Sequence, residues 1–220
     1  MSTPYPVMPD GTMALFLSPH GVMVGGPQSM LHEIPILAAG TYFGIWFYPG
    51  SFRLFFDLDV SDMRDQLLDG SVFVGSGIGE LHERIYSQSR FRDRVTVCDQ
   101  WLLRQIQPRF TPQFEFALDQ IYRSRGDIRI GQLAKEMRYS SRHLNRLFQH
   151  HVGYGPKMFA QTIRIQHACR SLFQTASTSI DTAMDLGFVD QAHLINEFKK
   201  RLLSTPRAFM GCFGSDFYNH

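Results

Sequence analysis

The sequence predicts an α+β protein, with a β-rich N-terminal domain that ends in helices and an all-α C-terminal domain holding two helix-turn-helix units. Three observations predict it. Short apolar and aromatic runs broken by Gly and Pro fill the first third of the chain, a helical period replaces them, and the C-terminal half repeats itself at a spacing of 50 residues.

From about Met13 to Val74 the runs are "MALFL", "GVMVGGP", "ILAAGTYFGIWFYPGSFRLFF" and "SVFVG", which read as strands and turns. The aromatic residues Phe43, Trp46, Phe47, Tyr48, Phe52, Phe55 and Phe56 suit a sandwich core, and some of them also suit the lining of an apolar ligand pocket. Between Gly79 and Ile106 the spacing of Leu81, Ile85, Val95, Trp101, Leu102 and Ile106 predicts one or two helices. The segment "QPRFTP" (Gln107–Pro112) then breaks the pattern, which places a domain boundary between residues 1–107 and 108–220. Thr111 before Pro112 reads as an N-cap with proline at the first helical position. Beyond it, Phe114, Leu118 and Ile121 mark one helix ending near Gly126, and Ile130, Leu133 and Met137 mark the next. A third runs from Ser141 to about His151, and "GPKMFAQTIRIQHACRSLF" forms one long helix.

With 44% hydrophobic and 19% charged residues in 220, the composition is globular and allows two domains, each with its own core. No apolar run approaches the roughly 18 residues that a membrane span needs. The N-terminus "MSTPYPVMPDG" has no basic cluster before its short apolar stretch, so a secretory signal is not expected and a cytoplasmic location is. Cys98, Cys169 and Cys212 are scattered, which points to neither a disulfide framework nor a zinc site. His20, His32 and Glu33 are the conceivable metal ligands of the N-terminal half and lack a ligand spacing, so neither metal nor cofactor is expected. Charge is uneven: residues 1–125 carry 10 Lys/Arg against 13 Asp/Glu, and residues 126–220 carry 12 against 7. A basic excess suits either a solvated face or a polyanionic partner.

The repeat is the most informative feature. His143-Leu144 recurs as His193-Leu194, Phe148 as Phe198, Pro156 as Pro206 and Phe159 as Phe209. Upstream, Ala134 and Tyr139 recur as Ala183 and Phe188 one residue out of step. Solenoids share such periods but normally need three or more units, and here there are two. Each unit has a short helix with a small residue, a tight turn (Arg138-Tyr139-Ser140; Gly187-Phe188-Val189) and a helix with a polar side, the layout of a helix-turn-helix. With Leu144/Phe148 and Leu194/Phe198 inward, the outward positions are Ser141, Arg142, Asn145 and Arg146 in the first unit and Gln191, Ala192, Ile195 and Asn196 in the second. In a major groove Arg bonds guanine and Asn or Gln bonds adenine, while an apolar group such as Ile195 meets a thymine methyl. Arg164 on the long helix, with Lys199, Lys200 and Arg201 after the second recognition helix, would hold phosphates. Asp190 is expected to cap its helix, and His143 and His193 to pack or hydrogen-bond.

At this point the sequence resembles the AraC/XylS family of bacterial transcription regulators. "RLFQHHVGYGPKMF", "RIQHACRSL" and "LGFVDQAHLINEFKKRLLSTPRAFM", between Phe110 and about Phe209, carry the resemblance. It implies two helix-turn-helix subdomains on a connecting helix of roughly 27 Å, compatible with successive major grooves. In the N-terminal half "VMPDG" (Val7–Gly11), "GGPQ" (Gly25–Gln28) and "FGIWFYPGSFRLFF" (Phe43–Phe56) resemble the cupin-like sensor or dimerisation domain of one subgroup. The resemblance implies a transcription regulator, more readily an activator than a repressor, with double-stranded DNA and RNA polymerase as partners. A small-molecule effector and a homodimer are further candidate partners. No catalysis is expected. The competing readings are a regulatory interaction module that does not bind DNA and a DNA alkylation-repair acceptor, which would need clustered cysteines.

Four positions depart from the family pattern, one of them Thr182, which stands before Ala183 where an apolar residue is usual. Arg138 stands where the second unit has Gly187, which either strains a left-handed turn residue or marks a turn that is not left-handed. Leu203 replaces a glycine before Thr205-Pro206. Asn196 stands where arginine is common, so the first recognition helix is expected to contribute more affinity.

Overall fold

The computed structural model describes residues 4–35, 39–73, 77–107, 111–175 and 180–213. Its N-terminal half holds two antiparallel sheets. In one, β1 (Pro4–Val7) pairs with β4 (His32–Pro35). The other runs in the order β5 (Phe43–Phe47), β2 (Met13–Ser18), β3 (Gly21–Gly25), β6 (Leu67–Asp69). A tight hairpin closes β2 onto β3, with Ser18 opposite Gly21.

Alternation divides the larger sheet into two faces. Leu15, Leu17, Phe43, Ile45 and Phe47 point into a core closed by α1 (Ile78–Tyr86) and α2 (Phe91–Gln105), so the stretch read as one or two helices is two. The opposite face carries Phe16 and Trp46, edge to face at 5.4 Å. The aromatic core predicted from sequence is therefore only partly right: Phe43, Phe47, Phe52 and Phe56 are buried, whereas Trp46 and Tyr48 are exposed.

Parts of two apolar runs read as strands are turns of 3-10 helix, at Ser51–Leu54 and Gly70–Val72, while Phe43–Phe47 of the first run is a strand and Val74 lies outside the described residues. The physical cause is the left-handed Gly50 (φ 85°) ahead of the first. It reverses the chain, and Phe52 then stacks on Phe56 at 4.4 Å. The aromatic cluster is thus gathered by turns, which strand alternation alone does not foresee.

The C-terminal half begins with α3 (Pro112–Arg123). Pro112 takes the first position as expected, but the Thr111 side chain makes no capping bond. Then follow α4 (Ile130–Glu136), α5 (Ser141–Val152), α6 (Pro156–Thr175), α7 (Ile180–Asp185), α8 (Gln191–Leu202) and α9 (Pro206–Phe213). They enclose two cores. The first is built on Phe114, Ile121, Leu144, Phe148 and Phe159, the second on Ile165, Leu172, Leu194, Phe198 and Phe209.

The N-terminal half is docked on both of these units. The Gln166 amide on α6 donates to the Pro9 carbonyl at 3.1 Å, and Leu31 N–H donates to the Arg201 carbonyl at 2.6 Å. Gly153, at the end of α5, lies so close to the N-terminal half that a Cβ there would come within 2.8 Å of Pro27 and 2.9 Å of the Val60 carbonyl. His150 faces Asp59 at 3.7 Å.

Candidate nucleic-acid interface

The two units share one set of hydrogen bonds. In the first, Tyr139 N–H donates to the Ala134 carbonyl at 2.8 Å and Arg138 N–H to the Lys135 carbonyl at 3.0 Å. In the second, Phe188 N–H donates to the Ala183 carbonyl at 3.0 Å and Gly187 N–H to the Met184 carbonyl at 2.9 Å. Ala134 and Ala183 are fully buried, because a larger side chain would hold the two helices apart. Ser140 caps α5 by accepting from His143 N–H at 3.1 Å, and Asp190 caps α8 by accepting from His193 N–H at 2.7 Å. Both caps satisfy amides that a helix N-terminus leaves free.

Packing repeats as well. Leu144 and Phe148 anchor α5, and Leu194 and Phe198 anchor α8. Phe148 meets Phe159 at 5.8 Å, and Phe198 meets Phe209 at 5.9 Å. His143 lies on Tyr139 at 4.3 Å and His193 on Phe188 at 5.4 Å, so both histidines pack against the turn aromatics. Even the buried polar position is shared: His151 and Arg201, 50 residues apart, both face inward.

The departures from glycine resolve in one direction. Arg138 is left-handed at φ 57°, as Gly187 is at φ 77°, and Leu203 is left-handed at φ 55°, as Gly153 is at φ 82°. Each unit therefore holds one left-handed position with glycine and one with a side chain that strains it.

On α5, Ser141, Arg142, Asn145 and Arg146 are all exposed. At 100° per residue Arg142 and Arg146 lie opposite the core face, while Asn145 lies on its flank. There its amide rests on Gly155, where a Cβ would come within 2.2 Å of Oδ1. Gln149 is exposed one turn beyond Arg146 and was not foreseen, although its place at i+7 from Arg142 was a usable signal. On α8, Ala192, Asn196, Lys199 and Lys200 are exposed, and Gln191 and Ile195 are half-buried.

Two of the predicted phosphate ligands are placed differently. Arg164 is not on an open face: its guanidinium donates to the Gly187 carbonyl at 2.7 Å, the Gly126 carbonyl at 2.8 Å and the Asp127 carboxylate at 3.2 Å. Arg201 is 3% exposed, ion-paired with Glu197 at 3.2 Å and bonded to Gln161 at 2.7 Å. Both extend long basic side chains to protein acceptors, which their helical positions did not disclose. His151 is also buried, stacked on Phe114 at 4.3 Å; burial, with the Arg53 and His150 charges nearby, lowers its pKa to about 4.

Two clefts lie beside these elements. One, of about 170 Å³, runs between the two units past Lys157, Gln161, Arg164, Phe188, His193 and Glu197. The other, of about 200 Å³, is lined by β1, Asp10, Trp46, Gln166 and Arg170. Among the described residues no group of three His, Cys, Asp or Glu is placed to hold a metal, and no helix is long and apolar enough to cross a membrane.

A repeated helix-turn-helix with two capped, outward-facing second helices defines a class of nucleic-acid-binding domain. Known proteins agree: residues 133–211 match the family model of a helix-turn-helix domain, and residues 2–69 match a domain of unknown function, DUF6597. The chain is 38% identical over 76 residues to the HTH-type transcriptional regulator GlxA of Rhizobium meliloti strain 1021, which covers 34% of this chain and 24% of GlxA. It is 32% identical over 85 residues to an uncharacterized HTH-type transcriptional regulator of Staphylococcus aureus strain N315, covering 39% of this chain and 11% of that protein. The chain thus spans only about a tenth to a quarter of the length of these relatives. A crystal structure of unsaturated fatty acid-bound ToxT from Vibrio cholerae aligns with 96% of this chain and 94% of its own, at 12% identity and a TM-score of 0.41. The C-terminal helices form a helix-turn-helix domain.

Proposed function

We propose that the protein is a cytoplasmic, sequence-specific transcription regulator that reads double-stranded DNA with α5 and α8 in successive major grooves. The observation that carries this reading is the duplicated unit, in which the same bonds and the same buried residues turn the second helix of each pair outward. Arg142, Arg146 and Gln149 on α5, and Gln191, Ala192, Ile195 and Asn196 on α8, face base edges, with Asn145 on the flank of α5. Lys199 and Lys200 hold phosphates, with Ser141 at the entry of α5. It performs no catalysis, and it acts as an activator through RNA polymerase. Residues 1–107 form the sensing or dimerising domain and residues 108–220 the DNA-binding domain. A small-molecule effector would act from the cleft between β1 and α6, where it would touch both halves.

Selection of duplexes from a random-sequence library, followed by gel-shift titration, tests the reading. The expected result is a bipartite site whose binding weakens on Arg146→Ala and Asn145→Ala. Absence of any selected sequence would leave the interaction-module reading in its place.

A further inference from the structure

Arg164 stands at a seam. Ile163 on one side of it belongs to the first unit's core and Ile165 on the other side to the second's. A single helix running through two cores leaves the units free to twist and bend against each other unless something ties them together off the helix axis; the N-terminal half docked on both is one such tie, and a direct bond between the units is another.

Three observations place such a tie at Arg164. Its guanidinium bonds at once to Gly126, in the turn that leads into the first unit, and to Gly187, in the turn of the second, and it closes on the Asp127 carboxylate. Its guanidinium carbon also lies over the Phe188 ring at 5.9 Å. Both carbonyls belong to left-handed glycines for a steric reason. A Cβ on Gly126 would come within 2.1 Å of the Ala160 carbonyl, and one on Gly187 within 3.1 Å of the Asp127 carboxyl carbon. The two turns are therefore pressed onto α6 and onto each other, with the guanidinium between them. A planar fork reaches several acceptors with fixed angles, which a lysine ammonium does not reproduce.

We infer that Arg164 is a positioning residue that locks the separation and rotation of α5 and α8, and so makes the protein discriminate DNA by the spacing between its two half-sites. The inference rests on the DNA reading proposed above. Inserting one base pair moves a half-site along and around the duplex, by about a tenth of a turn. A rigid pair of readers pays for that in contacts, whereas a loose pair follows the groove.

The test uses the full chain and the duplex selected by wild type, with one base pair added or removed between half-sites. Wild type is expected to lose on the order of tenfold affinity for each altered spacing, and Arg164→Lys to lose no more than about threefold. In DNA-free protein, labels attached at the exposed Gln149 and Lys200 by non-cysteine chemistry report the separation directly. Their distance distribution is expected to broaden in Arg164→Lys. If the variant binds more weakly at every spacing with the wild-type penalty intact, its loss is one of stability alone and the inference is overturned. An unbroadened distance distribution also overturns it, independently of DNA. A wild type that selects no sequence overturns the function itself, while the label measurement still reports on the lock.

Discussion

The two helix-turn-helix units share a framework and differ in what fills it. The first presents Arg142 and Arg146 outward and buries a neutral imidazole, His151; the second presents Ala192 and Asn196 outward and buries a charged guanidinium, Arg201. Backbone hydrogen bonds and buried apolar residues are kept, because they make the unit. The polar residues are free to differ, so the second unit spends its arginine inside and the first spends its arginines outside.

The comparison is tested first by the buried pair. Arg201→Met removes the partner of Glu197 and the bonds to Gln161 and the Ser29 carbonyl, and is expected to cost about 3 kcal/mol in urea unfolding. The matched His151→Leu is expected to stay within about 1 kcal/mol of wild type. Equal losses would mean that the shared position is used alike in both units.

His151 sharpens the contrast through pH. Its ordinary pKa of 6.5 falls to about 4 in the fold, so between these values the unfolded chain binds the extra proton. Stability is full above 6.5 and is lost as pH falls toward 4, on the order of 2–3 kcal/mol from this group. Comparing unfolding curves of wild type and His151→Leu across that window isolates the contribution, since the variant lacks it.

DNA binding is expected to divide in the opposite sense. Arg146→Ala is predicted to weaken a selected duplex by about 1–3 kcal/mol, and Asn196→Ala by less than 1 kcal/mol. A larger loss from Asn196 in a binding titration would reverse the ranking of the two helices. The smallest effects lie in the turns. Arg138→Gly and Leu203→Gly each relieve a left-handed side chain and are expected to raise stability by about 0.5–1 kcal/mol, read as a higher melting temperature.

These differences also explain what could be read in advance. Helical period and the 50-residue repeat disclosed both units, their inward leucines and phenylalanines, and the Asp190 cap, because each depends on residues close in sequence. In the N-terminal half β1, β4, β6 and the 3-10 turns were missed, since short strands carry little alternation and aromatic runs such as "SFRLFF" suit a strand or a turn until Gly50 sets the chain direction. The destinations of Arg164 and Arg201 were not legible. A long basic side chain goes where carbonyls and carboxylates are gathered by tertiary folding: Arg164 bonds to groups 23 and 38 residues away, and Arg201, besides Glu197 one turn back, reaches Gln161 and the Ser29 carbonyl, 40 and 172 residues away. A signal was present at Arg201 and His151 nonetheless: both are polar residues at core spacing, seven after Leu194 and Leu144.

The bond between Arg201 and Ser29 carries a consequence for biosynthesis. The N-terminal strands leave the ribosome early, but Ser29 has no Arg201 to meet until the chain is 172 residues longer, roughly 10–30 s later at ordinary rates of synthesis. The same holds for Pro9 and Gln166, which are 157 residues apart. The nascent chain therefore carries an undocked N-terminal surface, over a core that Met13 to Leu102 already complete, and docking becomes a late step that slow, long-range contacts govern.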